Sequence, residues 1–219
     1  MIETGATIER AAALRARLAA AGAPGSLTVV AVTKGFGPDA VRAAVGAGLV
    51  DVGENYAQEV VDKAASLAGL VPAPRFHFIG RLQRNKVRLL AGLVTLWQSV
   101  DRAELVTEIA RRAPGAEILV QLNLSGEEQK GGCPIDDVAE LVGQAIEAGL
   151  VVRGLMGVGP AGPPESARPG FRHLVALADD LALPVRSIGM SADLEVAVEE
   201  GSTMVRVGRD LFGERPPRR

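Results

Sequence analysis

Cysteine, histidine and surplus charge are all scarce in this chain. Its one cysteine, Cys133, has no second thiol to pair with, so no internal disulfide forms; that agrees with a reducing compartment and removes any cysteine-rich metal site. With only two histidines a metal cluster is not expected either, and His77, in an apolar run, reads as a satisfied core residue rather than a ligand. Acidic and basic residues nearly cancel, to a net charge of −2, so nothing in the composition would hold nucleic acid or anionic lipid. No uncharged run reaches the roughly 18 residues of a membrane span. The opening segment carries Arg and Glu along its length and lacks the apolar centre of a secretory signal. Together these absences predict a cytoplasmic protein with no membrane and no nucleic-acid partner. The sequence also lacks GxGxxG, a Walker loop and a nucleophile elbow, which sets aside those dinucleotide, nucleotide and serine-hydrolase sites.

What the chain does have is a long alternation of short apolar runs and longer helical stretches rich in Ala, Leu and charge. After an opening amphipathic helix over Ile2–Ala21, eight candidate strands follow: Leu27–Thr33, Leu49–Gly53, Arg75–Gly80, Thr95–Val100, Glu117–Leu124, Val151–Val158, Val185–Met190 and Thr203–Gly208. Helical patterns separate them at Asp39–Ala47, Asn55–Leu67, Asn85–Ala91, Arg102–Arg112, Ile135–Ala148, Glu165–Leu181 and Ala192–Glu199, with a closing turn at Asp210–Gly213. Runs such as LTVVAV and EILVQLNL are apolar throughout, as strands must be when helices cover the sheet outside and side chains fill it inside. Eight βα units in unbroken series predict α/β architecture as a single (β/α)₈ barrel spanning 1–219 with an extra N-terminal helix; an open doubly wound sheet is the alternative. GPAGPPESARPG reads as a surface loop and the tail ERPPRR as a solvated end.

Barrels of this kind place their chemistry at the C-terminal ends of strands. Lys34 follows AVT there, with its stem starting among apolar side chains. Desolvation would favour its neutral amine, the form that Schiff-base chemistry needs, whereas the bland alternative is a lysine that snorkels to solvent. IGMSADLE sets Gly189, Met190 and Ser191 at a strand-to-helix turn, where free backbone N–H groups and a hydroxyl at the helix start suit an anion; an ordinary helix cap is the alternative. VRVGRDLFG repeats the arrangement with Gly208 and Arg209. Arg206 alternates with Val205 and Val207, so it faces either the barrel interior or the outer helices and needs a partner: a buried carboxylate such as Glu54, or a ligand. Cys133, in GGCP, has no activating base nearby and reads as a passive thiol.

Several long motifs, in order along nearly the whole chain, resemble the pyridoxal phosphate homeostasis proteins, also called the YggS or proline synthetase co-transcribed family. They are VAVTKGF, VGENYAQE, FHFIGRLQRNK, LVQLNLSGEEQKGG and SIGMSADLEVAVEEGSTMVRVGRDLFGER. The resemblance implies a barrel like the N-terminal domain of alanine racemase, monomeric, with pyridoxal 5′-phosphate held as a Schiff base on Lys34. It places Arg206 at the pyridine nitrogen, Asn55 near the ring, and Met190, Ser191, Gly208 and Arg209 around the phosphate. It also implies a role in storing, buffering or delivering the cofactor to recipient apo-enzymes, with an indirect influence on amino-acid and keto-acid balance. Two positions depart from the family pattern: Arg209 stands where Ser or Thr is frequent, and Gly35 where a bulkier polar residue often follows the lysine. A weak amino-acid racemase is the competing reading, with Tyr56, the one tyrosine, as the available second acid or base. A third reading is a barrel enzyme for some other phosphorylated metabolite, with no covalent cofactor.

Overall fold

Apolar residues three and four positions apart make the opening segment an amphipathic helix, α1 (Thr4–Ala20), which buries Thr7, Ala11, Leu14 and Leu18 along one stripe. In the computed structural model, which describes residues 2–127 and 130–215, this helix precedes eight βα units. Glu128 and Gln129 of the SGEEQKGG stretch and the last part of the ERPPRR tail, 216–219, lie outside the described residues. The units run β1 (Thr28–Val32), α2 (Pro38–Gly46), β2 (Asp51–Glu54), α3 (Ala57–Ser66), β3 (Arg75–Phe78), α4 (Val87–Leu90), β4 (Val94–Val100) and α5 (Ala103–Arg112). They continue through β5 (Glu117–Leu122), α6 (Val138–Glu147), β6 (Val151–Gly157), α7 (Arg168–Asp180), β7 (Val185–Ser187), α8 (Leu194–Glu199), β8 (Met204–Val207) and α9 (Arg209–Phe212).

Every strand pairs in parallel with its neighbours in chain order, and β8 closes on β1 through Thr28 opposite Met204 up to Ala31 opposite Val207. The expected closed barrel is therefore present, and the open sheet is excluded. Two apolar clusters follow from the alternation of side chains across each strand. A large one lies between sheet and helices; a small one, Val30, Leu96, Leu119, Met156 and Met204, fills the barrel interior.

Several strands, β1, β5 and β7 among them, stop short of the ends of their apolar runs. β7 stops at Ser187 rather than Met190, and α8 begins at Leu194 rather than Ala192. Between them Asp193, not Ser191, is the residue before the helix, and its carboxylate accepts the Met190 N–H at 2.6 Å. β5 ends at Leu122, and beyond it Asn123 donates to the Cys133 carbonyl, tying the following loop back to the strand. The segments expected as helices at Asn85–Ala91 and Ile135–Ala148 each start with a 3₁₀ turn, Arg84–Lys86 and Ile135–Asp137.

Candidate functional site

β1 ends at Val32, so Lys34 sits two residues beyond the strand, in a tight turn closed by Phe36 N–H donating to the Thr33 carbonyl at 3.1 Å. Gly35 at the third position has φ +76°, while no positive φ occurs at Lys34, which is the pattern of a type II turn. Glycine after the lysine therefore has a backbone cause. Lys34 is half-buried and lines a cavity of about 1080 Å³ in the C-terminal mouth of the barrel. Asn55, Met190, Ser191, Arg206, Gly208 and Arg209 line that same cavity, so all seven residues singled out from sequence meet in one place.

Arg206 faces inward, since Val205 and Val207 on either side of it pack into the outer core and Met204 into the interior. Its guanidinium donates to the Ser187 carbonyl and hydroxyl, both at 2.6 Å, and to the Gly157 carbonyl at 2.8 Å. No carboxylate lies within ion-pair distance of it among the described residues. Of the two partners considered for Arg206, a buried carboxylate such as Glu54 is ruled out: Glu54 is tied to Lys63 and Thr33 instead. Burial pushes the Arg206 guanidinium down to about 10, with Asp193 pulling the other way. A buried cation held only by neutral oxygens retains unspent attraction for an anion or a ring nitrogen in the cavity.

Asn55 contributes a second unfinished group, because its side-chain oxygen is buried without a hydrogen-bond partner. Its position is dictated by Gly80, where a Cβ would fall 2.2 Å from the Asn55 carbonyl oxygen; only glycine lets the end of β3 pass that close. At the mouth, Arg81, Lys86, Lys130, Arg209 and Arg215 line the cavity, whereas Glu214 is the one acidic lining residue among the described residues. The field there favours an anion.

The turn after β7 departs from expectation in one respect. The Met190 N–H is already used by Asp193, and Ser191 does not open the helix, so the cradle is not the row of free amides inferred from IGMSADLE. Ser191 still lines the cavity, and its carbonyl accepts from Arg17 of α1 at 3.3 Å. Gly208 precedes α9 and packs its backbone against Val32, where a Cβ would meet the Val32 carbonyl oxygen at 3.3 Å.

His77 is the core residue it was read to be, buried between Asp51 at 3.0 Å and Gln98 at 2.7 Å. Cys133 is buried, and burial together with the Asp101 charge pushes its thiol up to about 11, so it is inert. No group of side chains suited to a metal ion occurs among the described residues. Sequence reading missed Ser187 and Gln98, which stand behind Arg206 in a hydrogen-bonded chain, and the buried Lys63. The i,i+4 spacing of Glu59 and Lys63 was visible, but nothing local says that their helix faces β1 and β2.

A closed parallel barrel with a lysine, a buried unpaired arginine and a basic rim at its mouth belongs to the alanine racemase N-terminal class: the family model described as "Alanine racemase, N-terminal domain" matches residues 6–216. Alanine racemase from Streptomyces coelicolor superposes with a TM-score of 0.76 at 25% identity, over 98% of this chain and 60% of the racemase. Within that class, the pyridoxal phosphate homeostasis protein of Aquifex aeolicus is 43% identical over 199 residues, 85% of this chain and 86% of the relative. The structure of PipY from Synechococcus elongatus with PLP bound superposes with a TM-score of 0.81 at 32% identity, over 94% of this chain and 100% of PipY. This chain belongs to the pyridoxal phosphate homeostasis protein family.

Proposed function

We propose that this chain binds pyridoxal 5′-phosphate in the barrel mouth, as a Schiff base on Lys34, and acts in cofactor homeostasis as a store, buffer or donor. The observation that carries the reading is Arg206: a buried guanidinium without an ion pair, facing the cavity that Lys34 also lines. The residues fit the group. Asn55 offers an orphaned oxygen toward a polar ring substituent, and Ser191, Gly208 and Arg209 stand at the basic end that suits a dianionic phosphate. When bound, the cofactor supplies an aldehyde that captures amines and a ring that withdraws electrons. The chain's own part is to hold the amine near the aldehyde, to donate from Arg206 to the ring nitrogen, and to oppose a proton at that nitrogen by its fixed charge.

One barrel domain suffices for this role, working as a monomer in the cytoplasm and passing the cofactor to recipient apo-enzymes. No described helix is long and apolar enough to cross a membrane. The purified protein should be yellow, and borohydride should fix the adduct on Lys34 in a peptide map; an adduct on another lysine, or none, would overturn the assignment. Tyr56 also lines the cavity, which keeps a slow racemase as the second reading. With L-alanine in deuterated water, the homeostasis reading expects little D-alanine and any α-deuterium mainly in the L-isomer. Fast equilibration of both enantiomers, abolished by Lys34→Ala, would decide for the racemase.

A further inference from the structure

Behind the cavity wall lies a buried ionic cluster to which the cofactor reading gives no task. Glu54, at the end of β2, is 0% exposed and Lys63, on α3, only 3%. Charges this far from water are costly to bury, and a pair of well-packed apolar residues would serve the fold about as well. Their contacts explain what an apolar pair would lack. The Lys63 ammonium spends its three protons on three acceptors: Glu54 Oε1 at 2.5 Å, the Thr33 carbonyl at 2.8 Å and Glu59 Oε2 at 3.2 Å. Glu59 Oε2 also accepts the Gly35 N–H at 2.8 Å, and Glu54 Oε1 accepts the Thr33 hydroxyl at 2.5 Å.

The Thr33 carbonyl belongs to the peptide unit just before the Lys34 Cα, and the Gly35 N–H to the unit just after it. We infer that Lys63, Glu54 and Glu59 are positioning residues for Lys34: the cluster grips both peptide units flanking its Cα and so fixes where the amine enters the cavity. The Phe36-to-Thr33 hydrogen bond closes the turn from within, and the cluster holds its two central peptide units from outside. The lysine stem adds four rotatable bonds, so backbone error passes directly to the reactive nitrogen, and capture of an aldehyde is steeply sensitive to such misplacement. The inference rests on Lys34 being the reactive lysine, but the state of the turn is measurable without the cofactor.

The test compares the wild type, the charge-neutral double variant Glu54→Gln/Lys63→Met and the single variant Glu59→Ala, whose site is partly exposed and tolerates truncation. Amide hydrogen exchange without ligand should speed up at least tenfold at Gly35 and Phe36 in the double variant, and at Gly35 in Glu59→Ala, while the Val30 amide in β1 keeps its wild-type rate. At a temperature where circular dichroism shows the double variant fully folded, borohydride-trapped adduct on Lys34 should form at least tenfold more slowly than in the wild type. Unchanged exchange at Gly35 and Phe36, or wild-type capture by the folded double variant, overturns the inference. No adduct in the wild type, together with the exchange changes in the variants, would overturn the cofactor reading and leave the positioning of the turn intact.

Discussion

At the scale of single residues, burial acts on several ionisable groups of the barrel, with different outcomes. Burial pushes the Glu54 carboxyl up to about 7, against the pull of Lys63 and Thr33, while the Glu59 charge on the same helix adds to the rise. The folded protein then binds a proton more tightly than the unfolded chain, whose carboxyl keeps its ordinary value of 4.5. A raised folded value means that stability is fullest below pH 4.5 and falls as pH climbs through about 7, by about 3 kcal/mol for this one group. Urea unfolding from pH 4.5 to 8 should show the stability of the wild type relative to Glu54→Gln declining across that window and levelling above it; a flat difference would show that Glu54 does not titrate there. Asp51 has the opposite outcome. Burial pushes it up, but hydrogen bonds from His77 and Arg75 outweigh that and hold it below the usual carboxylate range. Arg206 is only 4% exposed and has no carboxylate within ion-pair distance among the described residues. Arg206→Gln should leave the Lys34 adduct able to form but shift the ring-nitrogen NMR signal of bound, labelled cofactor toward the protonated range. No shift would remove Arg206 from the ring nitrogen.

Individual elements are joined by one recurring device. After α1, α2, α6 and α8 the chain turns through a glycine of positive φ, and the residue beyond it donates back into the last helical turn, as Ala23 does to the Leu18 carbonyl. That turn aims the next apolar residue, such as Leu49 or Leu150, at the core just before a strand begins. α7 uses the same bonds, Ala182 to Asp179 and Leu183 to Ala178, yet places an alanine there at φ 53°. A left-handed alanine costs roughly 1–2 kcal/mol, of which the greater unfolded-state freedom of glycine returns part. Ala182→Gly should therefore stabilise the protein by about 0.5–1 kcal/mol, read as a rise in Tm of roughly 1–4 °C. A fall in Tm would mean that the alanine methyl makes a contact worth more than the strain.

For the molecule as a whole, closure of β8 on β1 matters most, because it brings Arg206 from one end of the barrel sequence beside Lys34 from the other. α1 reinforces this seam: Arg17 reaches Glu195 in α8 and Asp210 in α9, both at 2.6 Å, and the Ser191 carbonyl in the turn after β7. A ligand touching both sides of the seam stabilises the closed barrel by mass action. Pyridoxal 5′-phosphate at one hundred times its Kd should add about 2.7 kcal/mol, or roughly 5–11 °C in Tm for a chain of this size. Lys34→Ala should keep only the part of that shift owed to noncovalent contacts. Equal shifts in the two proteins would show that the lysine contributes nothing to binding.

The sequence by itself determined the barrel, since eight apolar runs alternating with helical patterns leave few other ways to bury both faces of every strand. It also marked the cavity residues, because strand ends in such a barrel converge on one mouth whatever the details of packing. Three things were decided only in three dimensions, and each depends on contacts distant in the chain. Arg206 could have faced either way until Val205 and Val207 were seen in the outer core. Ser191 stood at the helix start in the sequence pattern, but Asp193, two residues later, is the residue that precedes α8, and its carboxylate takes the Met190 N–H. Glu54 seemed suited to Arg206, but α3 lays Lys63 against it, and a carboxylate buried beside an ammonium has no reason to reach across the barrel. Local pattern sets which face of an element is apolar; which polar groups then meet depends on how elements far apart in sequence are packed, and that is why the partners of buried charges were the part that could not be read in advance.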